Sequence, residues 1–287
     1  MRKVIRGALI VGLALLLLVS TGTMIYGQLQ QAQNEQAQAQ ARELVDLPDP
    51  DVPLAEPELP AVPIPQFPDV MPEPDPEPEQ TELPSPEPFF DDAHARTLLD
   101  MDLAALRGEN GDVIGWIEIP GTPISYPLLQ GADNQYYLNH NWKKEYNAGG
   151  SIFMEAKNRA DFDNFNTLIY GHRMSDNSMF NSLRHYTDQE YAAQHPYIYI
   201  ATDEGVRVYE VFAAMKVTVT DPVYWLITDQ TGYMEKMIAF CVENSVIESE
   251  LTPRVENRFL TLSTCTGLTV SDDRWVVIAV EMGTVSR

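Results

Sequence analysis

Cysteine is nearly absent from this chain: Cys241 and Cys265 are the only two in 287 residues. Neither lies in a C-x-x-C pair or a Cys/His ladder, so nothing indicates a metal site, and no other cofactor is called for. Basic residues are also scarce, with 19 Lys and Arg against 42 Asp and Glu and a formal net charge of -23. Such a chain repels phosphate backbones, which excludes nucleic acid as a partner. The acidity favours solubility and says little about substrate. There is no internal repeat. Charge is missing altogether between residues 7 and 27 (GALIVGLALLLLVSTGTMIYG).

That uncharged run fits a membrane anchor. As a helix it spans about 31 Å, close to the thickness of a bilayer core. Arg2, Lys3 and Arg6 precede it, and the next base is Arg42. This asymmetry predicts a single-pass protein of the cell membrane, with a cytoplasmic N-terminus and the bulk of the chain outside the cell. The rival is a cleaved signal peptide, but the run is long and no A-x-A-like site follows it at once.

The composition divides the chain into three parts: 1–27, with the anchor; 28–92, a linker; and 93–287, a folded domain large enough to bury a sizeable core. The linker is Gln-rich to residue 45, where helix and disorder both remain open. Residues 46–92 then hold 15 of the 21 prolines and many acids. Proline fixes φ and like charges extend the chain, so this stretch reads as a semi-stiff spacer giving reach from the membrane. A Pro-rich ligand for a partner is the alternative.

The folded part opens with an expected helix over 95–107. Short strand-like runs follow at 113–119, 124–129, 151–154, 167–171, 197–202, 206–219, 258–265 and 274–282. Helical interruptions fit 177–186, 188–194 and 231–243. Many short strands and few helices predict a mostly β fold, a closed or nearly closed barrel with peripheral helices.

Cys265 ends one strand-like run, a rigid mount for a reactive side chain. A free thiol titrates at about 8.5, so a thiolate nucleophile needs an imidazole or a cation nearby. His172 stands at another strand end, in TLIYGHRM. Arg274 opens the final strand, nine residues after Cys265. If those last two strands pair antiparallel, Arg274 returns beside Cys265, where a guanidinium can hold a substrate carbonyl and the charge developing on it. Each residue also has a plainer reading. Two extracellular cysteines can form a disulfide. Cys241, in YMEKMIAFCVEN, reads as a small buried hydrophobe. His94 and His195 read as turn residues, and His140 and His185 sit among polar neighbours. Arg173 and Arg274 can be ordinary surface charges.

TLSTC followed by RWVV, with YGH far upstream, resembles the sortases. DNQYYLNHNW (133–142), GGSIFM (149–154), NTLIYGHRM (166–174) and SMFNSL (178–183) resemble class B in order and spacing, across nearly the whole folded part. The resemblance implies a sortase barrel and a catalytic trio of His172, Cys265 and Arg274. It implies a membrane-anchored cysteine transpeptidase that cleaves a C-terminal sorting motif of exported proteins at a Thr-X bond. The acyl group is held as a thioester and passed to an amine of a peptidoglycan precursor or another acceptor, anchoring surface proteins to the cell wall. It matches Asn134, Leu138, Tyr170, Tyr224 and Ser263 to peptide contacts, with core packing as the plainer role for Leu138 and Tyr170. Thr266 follows the cysteine where some class B members carry an acid, and Glu155 stands where Asp is common. No second apolar segment follows the last strand, unlike the usual pilus-building class C form. The alternatives are a pilin-polymerising transpeptidase of class B type, a related hydrolase, and a non-enzymatic binding domain stapled by a Cys241–Cys265 disulfide.

Overall fold

The computed structural model describes residues 2–47, 92–226, 231–265 and 272–287. Eight strands form a closed barrel: β1 (Val113–Glu118), β2 (Ser125–Leu129), β3 (Ile152–Met154), β4 (Asn166–Tyr170), β5 (Tyr197–Thr202), β6 (Gly205–Thr218), β7 (Phe259–Cys265) and β8 (Asp273–Ser286). Around the barrel the order is β1-β2-β3-β4-β7-β8-β6-β5. The β2/β3 and β4/β7 pairs are parallel and the rest antiparallel. Each expected strand-like run is a strand. The last runs four residues further than its apolar pattern, because Gly205 to Val208 pair with Ser286 to Gly283.

Alternation along the strands places side chains on two faces, and both are buried. Ile117, Leu128, Ile152, Ile169, Ile198, Ile200, Leu260, Leu262, Val277 and Ala279 belong to one core cluster. On the other face of β7 and β8, Phe259, Val276 and Ile278 pack under Met237 and Cys241 of helix α5 (Thr231–Asn244). A third cluster gathers Trp116, Leu129, Phe153 and Tyr199 beneath the N-terminal helices.

Those helices are α1 (Arg2–Leu44), α2 (Ala93–Leu98) and α3 (Leu103–Glu109); α4 (Gln189–Gln194) lies later in the chain. The single helix expected over 95–107 is in fact two. Asp102 explains the break: its carboxylate accepts from the Ala105 N–H at 3.0 Å and starts α3 afresh, as Asp92 starts α2 by accepting from Ala95 N–H at 2.8 Å.

The Gln-rich segment left open between helix and disorder continues α1. Asn34, Ala37, Ala41 and Val45 lie along one side of it and are buried. The Trp142 indole N–H donates to Ala37 O at 2.6 Å, Asn147 Nδ2 to Gln30 O at 2.7 Å and Lys143 Nζ to Gln40 Oε1 at 3.0 Å. Leu47 packs against the same cluster that holds Val45, Ala95 and Leu98. The described residues on either side of the Pro/acid-rich stretch, Leu47 and Asp92, therefore both sit on the barrel; the stretch itself, 48–91, lies outside the described residues. Among the described residues no helix is long and apolar enough to cross a membrane. Before Val19, only the Leu16 side chain is described.

Candidate active site

The site forms where the parallel strands β4 and β7 end side by side. Tyr170 is in register with Ser263, and Gly171 N–H donates to Ser263 O at 3.2 Å. One residue further on β4's side comes His172; two further on β7 comes Cys265. Parallel neighbours run about 4.8 Å apart, so both emerge at the same barrel end. Cys265 is in turn the register partner of Arg274 across the antiparallel β7/β8 pair. The return of Arg274 to Cys265 that the spacing predicted is thus a feature of the backbone. The Cys265 side chain and residues 266–271, including Thr266, lie outside the described residues.

Gly171 is what lets β4 end here. A Cβ on it would lie 2.5 Å from Ile152 Cδ1 and 2.7 Å from the Phe180 ring, closer than packed atoms tolerate. The chain then turns through a loop closed at its base by Phe180 N–H donating to His172 O at 2.9 Å.

His172 is half-buried, and its Nε2 lies 2.6 Å from Leu138 O. A carbonyl only accepts, so Nε2 carries a hydrogen, and a neutral ring keeps its lone pair on Nδ1. Leu138 closes a 3-10 turn, Tyr136–Leu138. The Asp133 carboxylate anchors that turn by accepting from the Gln135 and Tyr136 N–H groups at 2.8 and 2.9 Å, which holds its pKa below the usual carboxylate value. Gly150, at φ +59, packs so tightly on Tyr137 O that a Cβ would approach it to 2.5 Å. Leu138 was expected to touch peptide through its side chain, which is exposed; its carbonyl has the further task of orienting His172, which no side-chain pattern reveals.

The other four histidines are engaged elsewhere. His94 Nε2 pairs with Glu118 at 2.8 Å, and His140 stacks on Tyr136. His185 and His195 pack around Tyr191.

Asn134, Tyr170, Tyr224 and Ser263 form one polar group with Glu155 and Arg274. Tyr224 Oη and Ser263 Oγ are 2.6 Å apart. The Tyr170 hydroxyl donates to Glu155 Oε2 at 2.9 Å, and Asn134 Nδ2 donates to the same oxygen at 2.6 Å. Burial, and then the Glu155 carboxylate beside it, push the Tyr170 phenol well above its ordinary pKa, while the Arg274 guanidinium pulls the other way. Both charges therefore lie close to Tyr170.

Cys241 is fully buried in α5 and free. The chain has no third cysteine, so Cys241 and Cys265 are not joined, and the disulfide-stapled alternative loses its staple. Burial pushes the Cys241 thiol up to about 12, leaving it an inert core residue.

Residues 117–282 match the model of the sortase domain, more than half of the chain. Sortase B of Listeria monocytogenes is 38% identical over 166 residues, 57% of this chain and 67% of that protein. A substrate complex of Staphylococcus aureus sortase B superposes with a TM-score of 0.60 at 34% identity, covering 64% of this chain and 85% of that one. A complex of sortase B with triglycine gives the same TM-score, 0.60, at 34% identity, covering 64% of this chain and 86% of that one. With the barrel, the paired strand ends and these relatives together, the chain belongs to the sortase family of cysteine transpeptidases, in its class B.

Proposed function

We propose that this class B sortase is anchored in the membrane, and that its Cys265 cleaves a Thr-X bond in the C-terminal sorting signal of exported proteins and passes the acyl group to a cell-wall amine. The observation that carries the reading is the register of Cys265 with Arg274, beside the strand end that delivers His172.

The Cys265 thiol gives its proton to His172 Nδ1, and the resulting thiolate attacks the Thr carbonyl carbon as the C=O electron pair moves to the oxygen. Arg274 donates N–H bonds to that oxygen as it becomes negative; losing one such donor typically costs a factor of ~100 to ~1,000. When the tetrahedral species collapses, the C–N bond breaks and His172 gives its proton to the leaving amine. The Leu138 carbonyl, held against Nε2–H, stabilises the protonated ring and keeps it in one orientation. The thioester is then attacked by an acceptor amine, whose proton passes to His172 while the thiolate leaves. Asn134, Leu138, Tyr170, Tyr224 and Ser263 line the approach to the peptide.

The substrate-bound S. aureus structure supports a peptide donor, and the triglycine complex supports an amine acceptor such as a peptidoglycan precursor. For the membrane, support comes from residues 7–27 and from α1. Leu16, Val19, Met24, Ile25 and Tyr26 are more than half exposed on the part of α1 that precedes its docked face. Because α1 itself docks on the barrel, it and not the Pro/acid-rich stretch sets the height of the catalytic domain above the membrane.

A randomised library of internally quenched peptides, each with one Thr-X bond, tests the reading on the full-length protein in detergent. Cleavage should give a Cys265 thioester by intact mass and should accelerate when triglycine is added. Cys265→Ala should form no thioester, and Arg274→Lys should lose at least a factor of ~100, because an ammonium lacks the planar fork. Near-normal turnover in Arg274→Lys would refute the oxyanion role, and release unaffected by any amine would make the protein a hydrolase.

A further inference from the structure

Glu155 follows β3 and is buried, with 6% of its surface exposed. A carboxylate in that setting must be held by donors. Oε2 accepts from Asn134 Nδ2 and from the Tyr170 hydroxyl, and Oε1 accepts from the Lys157 N–H at 3.2 Å. The backbone on both sides is fixed as well: Glu155 N–H donates to Leu168 O, and Glu155 O accepts from Gln130 Nε2 at 3.1 Å. Asn134 is pinned at its other end, where Oδ1 accepts from Ala156 N–H at 2.8 Å. One carboxylate thus ties the loop carrying Asn134 to the strand carrying Tyr170, whose register partner Ser263 lies two residues from Cys265.

The bonds also fix which hydrogens and lone pairs remain. A carboxylate oxygen only accepts, so the Tyr170 hydroxyl must give its hydrogen inward and keep lone pairs for the outside. Asn134, with its oxygen taken by Ala156 and one N–H by Glu155, keeps a single N–H. Both side chains are half-buried, so each retains an open side. The two together offer one acceptor and one donor, the complement of a peptide or carboxamide group with its N–H and C=O.

We propose that Glu155 is a positioning residue for the transpeptidase, setting the hydrogen-bond polarity of Tyr170 and Asn134 so that they receive an amide of the sorting peptide. The inference rests on the sortase reading above. With Glu155→Gln, one donor in the network meets another donor. Where the new amide nitrogen takes the Oε2 position, facing Asn134 and Tyr170, Tyr170 relaxes by turning its hydroxyl hydrogen outward, which presents a donor where the peptide needs an acceptor.

The test uses full-length protein and the internally quenched peptide best cleaved by wild type in the library. Glu155→Gln should raise KM by about 10-fold while kcat falls less than about threefold, as expected for a mismatched hydrogen bond in substrate recognition. Glu155→Asp, which keeps the acceptor-only chemistry, should recover most of the loss. In a Tyr170→Phe background, Glu155→Gln should have little further effect on KM, since the hydroxyl it reorients is gone. Thermal unfolding confirms that each variant is folded. A fall in kcat at unchanged KM, no rescue by Asp, or full additivity with Tyr170→Phe would overturn the inference. If Cys265→Ala retained turnover, the sortase reading itself would fail; if Cys265→Ala is dead and Glu155→Gln behaves as wild type, only the positioning role fails.

Discussion

The two cysteines should differ in reactivity by about three orders of magnitude, and the difference follows from where the fold puts Cys241. That side chain is 0% exposed and packed in α5 against Phe259, Val276 and Ile278. Burial raises its pKa from an ordinary 9.0 to about 12. At about pH 8 the thiolate fraction is then about one in ten thousand, against about a tenth for an ordinary thiol, a ratio of roughly a thousand before any cost of opening the helix is added. Native full-length protein treated with iodoacetamide should therefore gain one adduct by intact mass, mapped to Cys265. Cys265→Ala should gain none in the same time, and one, at Cys241, after denaturation in guanidinium. Comparable native labelling of Cys241 would refute the burial argument. A wild-type protein that is labelled only after reduction would show its thiols to be oxidised and would sink the proposed nucleophile.

Two further outcomes follow from the same contacts. The raised Cys241 pKa, and that of Tyr126, which burial takes from 10.0 to about 12, have a definite sign. A group whose folded pKa is raised contributes stability below its unfolded value and loses it as pH climbs through the folded one. The melting temperature should therefore fall as pH rises from about 9 to about 12, and Cys241→Ala should flatten the first part of that fall; a flat profile over this range would contradict it. The docking of α1 is tested by inserting a specific protease site within 48–91 and cutting it in purified full-length protein. With both flanks of the stretch on the barrel, residues 1–47 should co-elute with the catalytic domain after cutting. Prompt separation would mean that the stretch is a tether in series, as the sequence suggested, and that α1 contributes little.

The barrel was legible because each strand announces itself. Runs such as YIYIAT and RFLTLSTC are β-branched and aromatic, a few residues long, and bounded by Gly, Pro, Asn or Asp, and both faces bury them. The pairing of Cys265 with Arg274 was legible for a related reason. Cys265 and Arg274 flank one short connection between neighbouring strands, so their separation in sequence nearly dictates their pairing. His172 is different: its distance from Cys265 is set by the parallel β4/β7 pairing, a contact between strands far apart in sequence that no local pattern encodes, and resemblance to sortases supplied it. The α1 face was obscure because it docks through alanines and backbone carbonyls. Ala37 and Ala41 add little to a hydrophobic pattern, and Trp142 gives no sign in sequence of reaching Ala37 O.

Glu155 shows a subtler limit. In sequence it is one acid after SIFM, set apart only by resemblance, as a departure from the Asp usual there. Its importance comes from three loops converging on it: the Asn134 loop, the β4 end at Tyr170 and its own turn through Lys157. Burying a carboxylate is costly unless every lone pair facing the protein finds a donor. Two of its three donors are side chains expected to face the peptide, so the requirement is met with part of the binding surface itself. That coupling argues that peptide preference in this protein is decided one layer behind the residues that touch the peptide. What that supporting carboxylate contributes is its acceptor-only character, which sends the Tyr170 hydrogen and one Asn134 N–H inward and so sets the polarity that both present to an amide.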